Sequence, residues 1–384
     1  MRLSPRRFAP ACASLLAAIL ALTACTSSDA AVSNDPASIE PVADAPTTDS
    51  APATDASTSD STTSSNAAPD TAAPNATTPD ASAWLSPTPT VFPLILDNCG
   101  FEVTFDQPPQ RVLTIRSSTA EMMLALGLQD QLLAAAALDG PAPAWLEAEG
   151  TAVDQPLSGV PGTEATLALE PDLVFAGWES NLTAESAGER SLLASLGIAT
   201  YVPLTACGFD SERTTAMTFD DVWALIAQVG AIFDVADAAS ALIAEQSAQL
   251  AQVSPDTRGL TALWWSSGRD TPFVGAGAGT PQMIMDAIGV TNVMADVSDT
   301  WTSVSWEHVL SVDPDVLILV DASWNSAEEK IEILRSNPAT ATLTAVREDR
   351  FIIVDFPATE AGVRSVSAVV SLAQQLAALN VDGN

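Results

Sequence analysis

One histidine, one tyrosine and one lysine in 384 residues (His308, Tyr201, Lys330) leave little material for catalysis or metal capture. A zinc or manganese site needs several nitrogen ligands, and a single imidazole argues against one. A single phenol argues against ferric-ion capture through tyrosinates and leaves a haem iron few axial choices. No Gly-x-Ser-x-Gly elbow and no plausible Ser/His/Asp set occurs. The chain therefore reads as a non-enzyme, with no metal site and no cofactor of its own. Positive charge is scarce too: 14 basic against 48 acidic residues give a formal net charge of −34. Such a surface repels nucleic acid and offers anionic lipid no attraction, so any membrane contact must come from an anchor.

A candidate anchor stands at the start. Arg2, Arg6 and Arg7 precede the apolar run SLLAAILAL, and the segment closes on Leu22-Thr23-Ala24-Cys25. A basic start, a short apolar core and small residues before a cut site make a secretory signal over residues 1–24. The apolar run falls short of the ~20 residues a membrane span needs. Leu-Thr-Ala-Cys resembles the bacterial lipobox, which implies cleavage before Cys25 and a diacylglycerol on its thiol. An ordinary signal peptide with a chance cysteine is the alternative. Residues 25–90, dominated by Ala, Ser, Thr, Pro and Asp, cannot bury enough surface to order themselves and read as a tether. An alanine-rich, lysine-poor chain with such a tether suggests a high-GC Gram-positive source of actinobacterial type. The protein is expected outside the cytoplasm, lipid-anchored to the outer face of the cell membrane. Of four cysteines, Cys12 leaves with the signal and Cys25 is lipidated. Cys99 and Cys207 remain as an even pair in an exported domain, where a disulfide is favoured.

From residue 91 the pattern changes to α/β. A hairpin is read at 92–105, then β-rich and helical runs alternate: strands near 131–136, 172–176 and 198–202, helices near 163–169 and 185–195. Ser118-Thr-Ala-Glu121 has the form of a capping box opening a helix that stops at Gly127. Alternation of this kind argues for βα units around a mainly parallel sheet. Residues 218–253 are helical with no strand between, after which the βα rhythm resumes to the end. The reading is an N-terminal α/β lobe over 91–234, a linking helix over 235–257 and a C-terminal lobe over 258–384. Two Rossmann-like lobes joined by one long helix would leave a ligand cleft between them.

The halves also repeat. LALEPDLVFAG and VLSVDPDVLILVD share a plan, and Glu164/Glu307, Glu170/Asp313 and Asp172/Asp315 are each separated by the same 143 positions. Coincidence of a common Pro-Asp turn is the weaker explanation, because the offset runs unbroken through helix, turn and strand.

RVLTI followed by STAEMMLALGL, LALEPDLVFAG, and NPATATLTAVREDRFIIVD near the end resemble the solute-binding proteins of ABC importers. The type is the one with a rigid helical linker, used for siderophores, cobalamin and other large chelates. TFDDVWALIAQVG, PQMIMDAIGVTNV, DTWTSVSWE, DASWN and FPATEAGVRSV look most like members proposed to bind a coenzyme F-420 precursor, the deazaflavin lacking its glutamate tail. The resemblance implies a monomer that captures a small organic ligand or chelate and delivers it to an ABC permease and its ATPase. It also implies that Glu164 and Glu307, one near the top of each lobe, dock on the permease. An iron-siderophore or cobalamin protein is the alternative ligand class. A sensor or envelope adaptor that kept the fold without transport is the alternative function.

Ligands of parallel α/β sheets lie beyond the carboxyl ends of strands. That rule puts Trp178, Glu179 and Asn181 on one lip and Trp324 and Asn325 on the other, with Trp301 in a polar loop nearby. Tryptophan suits a lip because it offers a flat face and one N–H. Of Trp264 and Trp265, adjacent on one strand, at most one can meet the cleft; Trp265 is the candidate. Trp223, inside a helix at apolar spacing, is core. Arg116 with Ser117, Arg269 and Arg364 stand near strand ends or helix starts and could pair with an anionic ligand, or else with surface carboxylates. The turn 275–281, with Thr280 as N-cap and Pro281 as N1, could offer N–H groups to an anion or be purely structural.

Overall fold

The structure, a computed structural model, describes residues 87–147, 157–208 and 215–381. The signal segment, Cys25 and the tether up to residue 86 lie outside the described residues. Thr90 already belongs to the folded body: its N–H and hydroxyl donate to the Asp234 carboxylate and the Ala231 carbonyl, each at 2.8 Å.

Strands β1 (Leu94–Asn98) and β2 (Phe101–Phe105) form the expected hairpin. The N-terminal lobe continues through β3 (Val112–Ile115), α1 (Ser117–Ala125), β4 (Leu132–Ala136), α2 (Ala144–Glu147), α3 (Thr163–Ala168), β5 (Leu173–Ala176), α4 (Arg190–Ser195) and β6 (Ala199–Tyr201). Its sheet is parallel, in the order β4-β3-β5-β6. Helices α5 (Phe219–Ile232) and α6 (Ala236–Leu250) follow, broken at Asp234, whose φ is 56°. They cross so closely that a Cβ on Gly230 would stand 2.5 Å from that of Ala239.

The C-terminal lobe holds β7 (Thr261–Ser267), β8 (Phe273–Gly275), α7 (Thr280–Ile288), β9 (Thr291–Asn292), β10 (Trp301–Ser303), α8 (Trp306–Val312), β11 (Val316–Asp321), α9 (Ala327–Ser336), α10 (Thr344–Arg347), β12 (Phe351–Asp355) and α11 (Ser365–Ala378). Its sheet runs β10-β8-β7-β11-β12, with β9 also on β7. Strands β7, β9, β11 and β12 are parallel to one another; β8 alone is reversed, antiparallel to both β7 and β10. The short strands β8 to β10 carry too few residues to show a period in the sequence.

The 143-residue offset survives in three dimensions. Asp172 accepts the N–H groups of Gln110 and Arg111 ahead of β3, at 2.7 and 2.9 Å. Asp315 accepts the N–H and hydroxyl of Thr261 at the start of β7, both at 2.9 Å. Each carboxylate thus pins its own strand to the neighbour. Glu170 and Asp313 both take a left-handed turn, with φ of 51° and 43°.

Both sheets are covered on both faces, which explains their continuous aliphatic runs. Alternate residues of β5 and β11 enter different cores: Leu173, Phe175, Val316 and Ile318 face one, Val174 and Leu317 others. The shared core is continuous from β3 and β5 through α5, α6, α7 and α11 to β7 and β11. One uninterrupted apolar body therefore backs both lobes, which opposes a wide hinge.

Three local expectations are corrected. Ser118 and Glu121 form no capping box, because the N-cap of α1 is Arg116 and Glu121 is turned inward to Arg364. Gly279 rather than Thr280 caps α7. Trp301 lies in a strand, β10, paired with β8.

Candidate functional site

The expected bridge is formed: Cys99, in the hairpin turn, is disulfide-bonded to Cys207 beyond β6. Buried Asn98 supports the same junction, donating to the Val202 carbonyl and accepting its N–H at 2.8 and 2.9 Å. Together they hold the segment that carries Thr205 and Ala206 to the mouth of a cavity.

That cavity, of about 300 Å³, opens at the carboxyl ends of the strands, with walls from both lobes. Trp178 follows β5, Phe273 and Trp301 stand on β8 and β10, and Trp324 and Phe356 follow β11 and β12. Trp301 stacks on Phe273, with centroids 5.7 Å apart and 17° between planes. Trp324, 58 % exposed at the rim, meets Phe356 edge to face at 5.6 Å. Ser266, Ser267, Thr280 and Thr300 add hydroxyl groups from the C-terminal lobe, and Ser118 and Thr205 from the N-terminal lobe.

The β5 lip is built by a close crossing. A Cβ on Gly177 would sit 2.8 Å from that of Arg116, so only glycine lets the two chain turns meet. Arg116 has a φ of 86°, disfavoured for a residue with a side chain. Its guanidinium lies 3.7 Å from the Trp178 ring centroid and pairs with Asp139 at 2.8 Å. The tryptophan face is thereby backed by a cation and set in position.

Across the cleft, the Trp178 indole N–H donates to Glu360 Oε1 at 2.6 Å. Burial pushes the Glu360 carboxyl up to about 7, against hydrogen bonds from Ser118 and Trp178 that favour its charged form. Glu360 is the only ionisable side chain lining the cavity among the described residues. It also begins a segment that fastens one lobe to the other. Thr205 donates to the Ala361 carbonyl at 3.3 Å, and Arg364 forms a buried two-point pair with Glu121 while donating to the Pro141 carbonyl at 2.6 Å.

Of the sequence candidates, Trp178, Trp301 and Trp324 come together in the lining; the others do not. Glu179 accepts the Gly208 N–H at 2.8 Å, and Asn181 is buried, its side chain accepting the Trp178 N–H at 3.2 Å. Ser117 is buried against Asp139, its hydroxyl accepting that residue's N–H at 2.8 Å. Trp265 is not at the cleft: it faces one core of the double-covered sheet as Trp264 faces the other, and its N–H donates to the Ser267 carbonyl at 2.7 Å. The cleft meets this strand only at its end, through Ser266 and Ser267. Arg269 is exposed between β7 and β8, and Arg364 is consumed by Glu121. Asn325 is engaged through its backbone by the lone lysine: Lys330, buried, donates to the carbonyls of Val320 and Asn325 at 2.7 and 2.6 Å. That ammonium, pushed down to about 8 by burial, ties the Trp324 loop to the end of β11. The 275–281 turn packs closely, since a Cβ on Gly277 would meet the Ala295 carbonyl oxygen at 2.0 Å, and its Gly279 and Thr280 reach the cavity lining.

Glu360 and Phe356 were missed by sequence reasoning. Both follow β12, so the strand-end rule that found Trp178 and Trp324 would have found them had it been applied to the last strand.

Glu164 and Glu307 stand exposed in the first turns of α3 and α8.

Residues 112–358 match the family described as periplasmic binding protein. The chain is 26% identical over 258 residues to a cobalamin-binding protein of Halobacterium salinarum, with 62% of this chain and 63% of that protein covered. It therefore spans just under two thirds of that relative's length. A periplasmic binding protein from Veillonella parvula superposes with a TM-score of 0.65 at 25% identity, covering 75% of this chain and 98% of that one. A structure from Saccharomonospora viridis described as an ABC-type Fe3+-hydroxamate transport system gives a TM-score of 0.62 at 29% identity, covering 75% of this chain and all of that one. The chain, with two α/β lobes meeting at an aromatic cleft, belongs to the periplasmic binding protein family.

Proposed function

We propose that this protein is the extracytoplasmic, lipid-anchored binding component of an ABC importer. It captures an organic ligand or complete metal chelate and hands it to a permease and its ATPase. The observation that carries this reading is a cavity at the strand ends of two mainly parallel sheets, walled by tryptophans from both lobes. Its volume lies at the lower end of small-molecule sites, so it fits a compact ligand or one face of a large chelate. The relatives named above, a cobalamin-binding protein and a ferric hydroxamate system, point to the same ligand size and type.

The lining contains no arginine, and Arg116 and Arg364 are already paired. A buried anion needs such partners. This favours a neutral or cationic chelate over the anionic deazaflavin precursor suggested by the sequence resemblance. Exposed Glu164 and Glu307, matched across the repeat, are the docking points for the permease, and the Leu22–Cys25 lipobox supplies the anchor. Titration of the purified protein with ferric trihydroxamate, cobalamin and the deazaflavin phospholactate, read by tryptophan quenching, tests the assignment. Saturation by a chelate supports it. Saturation by the deazaflavin alone would restore the anionic ligand, and no response to any of the three would remove the importer reading.

A further inference from the structure

Resting on that reading, we propose that Glu360 sets the charge selectivity of the cleft: its carboxylate seats a cationic, hydrogen-bond-donating group of the ligand and rejects anions. Every other residue of the lining is neutral, so this one side chain decides the sign of the site. The carboxylate takes the Trp178 N–H at 2.6 Å and a hydrogen bond from Ser118, both from the opposite lobe. An ionised carboxylate has about four acceptor positions, so two donors leave capacity for the ligand. The charged groups near it are Arg116 and Asp139, and these are paired with each other at 2.8 Å. Among the described residues no ion pair to Glu360 occurs, although Arg364, four positions on, pairs with Glu121 and lies 3.9 Å from Asp355. A half-buried carboxylate without a counter-charge is costly, and burial has pushed it up to about 7. A ligand ammonium would supply the missing charge, with Trp301 in the lining adding cation–π attraction. An anionic group would force the carboxyl to take a proton first.

The test uses three probes of one shape, independent of the natural ligand: 1-naphthylmethylammonium, 1-naphthalenemethanol and 1-naphthoate. Binding to the whole protein is followed by the shifts of the tryptophan indole N–H resonances. At pH 8 the ammonium should bind roughly tenfold or more tighter than the alcohol, the scale of one charge-assisted hydrogen bond, and the carboxylate weakest. Glu360→Gln retains an acceptor for Trp178 and should bring the three within about threefold of one another. Glu360→Asp should keep the ranking. At pH 5 the wild-type preference should fade towards that of Glu360→Gln. Equal affinities in the wild type, an unchanged ranking in Glu360→Gln, or no binding of the ammonium would overturn the assignment. A chelate that saturates the cleft while the charge series is flat removes Glu360 and leaves the importer reading standing. A clear charge ranking without chelate binding does the reverse.

Discussion

Arg364, at the head of the last helix, reaches into the other lobe and forms a buried two-point ion pair with Glu121 of α1, 243 residues earlier in the chain. Burial raises the Glu121 carboxyl above its ordinary range, with Arg364 opposing that rise. Removing one partner of such a pair leaves an uncompensated buried charge, which costs about 3–5 kcal/mol. Glu121→Gln should therefore lower unfolding stability on that scale in a urea titration. Glu121→Leu combined with Arg364→Met should recover most of the loss, because the apolar pair carries no charge to desolvate.

The cleft tryptophans are separable by position. Trp178→Ala and Trp301→Ala should each weaken ligand binding roughly tenfold or more, as truncated aromatic anchors do. Trp265→Phe should leave affinity unchanged and lower the melting temperature instead, because that ring is enclosed in a core. Calorimetric titration and a thermal melt of the same three variants separate the two outcomes.

Glu360 couples stability to pH. Its folded-state pKa is raised to about 7 from an ordinary 4.5. Between those values the folded chain binds more protons than the unfolded chain, so stability falls as pH rises through the window. Glu121 is shifted the same way, so the wild type alone does not isolate one group. The difference in unfolding free energy between wild type and Glu360→Gln should slope across pH 4.5–7 and be flat above it. A difference that stays level throughout would show that Glu360 titrates normally.

Glu164 and Glu307 are predicted to act after binding. Alanine at either should leave ligand affinity within about twofold of wild type, since both lie outside the cavity lining. Uptake by cells carrying the variants should fall, and fall further in the double variant. Reduced affinity in the isolated variants would move these residues out of the docking role.

Much of this was legible in the sequence where one local signal sufficed. The βα alternation, the hairpin at Asn98-Cys99-Gly100, the 143-residue repeat and the Cys99–Cys207 pair are each written in spacing or composition. Two tryptophans of the lining, Trp178 and Trp324, followed from the strand-end rule, and Trp301 from its polar surroundings. What could not be read were relationships between distant segments. Glu121 has the sequence form of a helix cap, and only the approach of Arg364 shows why it turns inward. Arg116 resembles a ligand-binding arginine until Gly177 brings it onto Trp178. The short strands β8 to β10 gave Trp301 the look of a loop residue. Trp265 stands immediately before the polar strand end, Ser266 and Ser267, that meets the cleft, a register that burial on both faces hides.

The central claim is that the inter-lobe cleft binds an organic ligand or chelate between its tryptophans. Titrating the purified wild-type protein and Trp178→Ala with ferric trihydroxamate and with cobalamin, and following tryptophan fluorescence, tests it most directly. The account predicts saturable quenching by at least one of them in the wild type and a clear loss of affinity in Trp178→Ala. Equal saturation curves for the two proteins, or no quenching by either chelate, would contradict it.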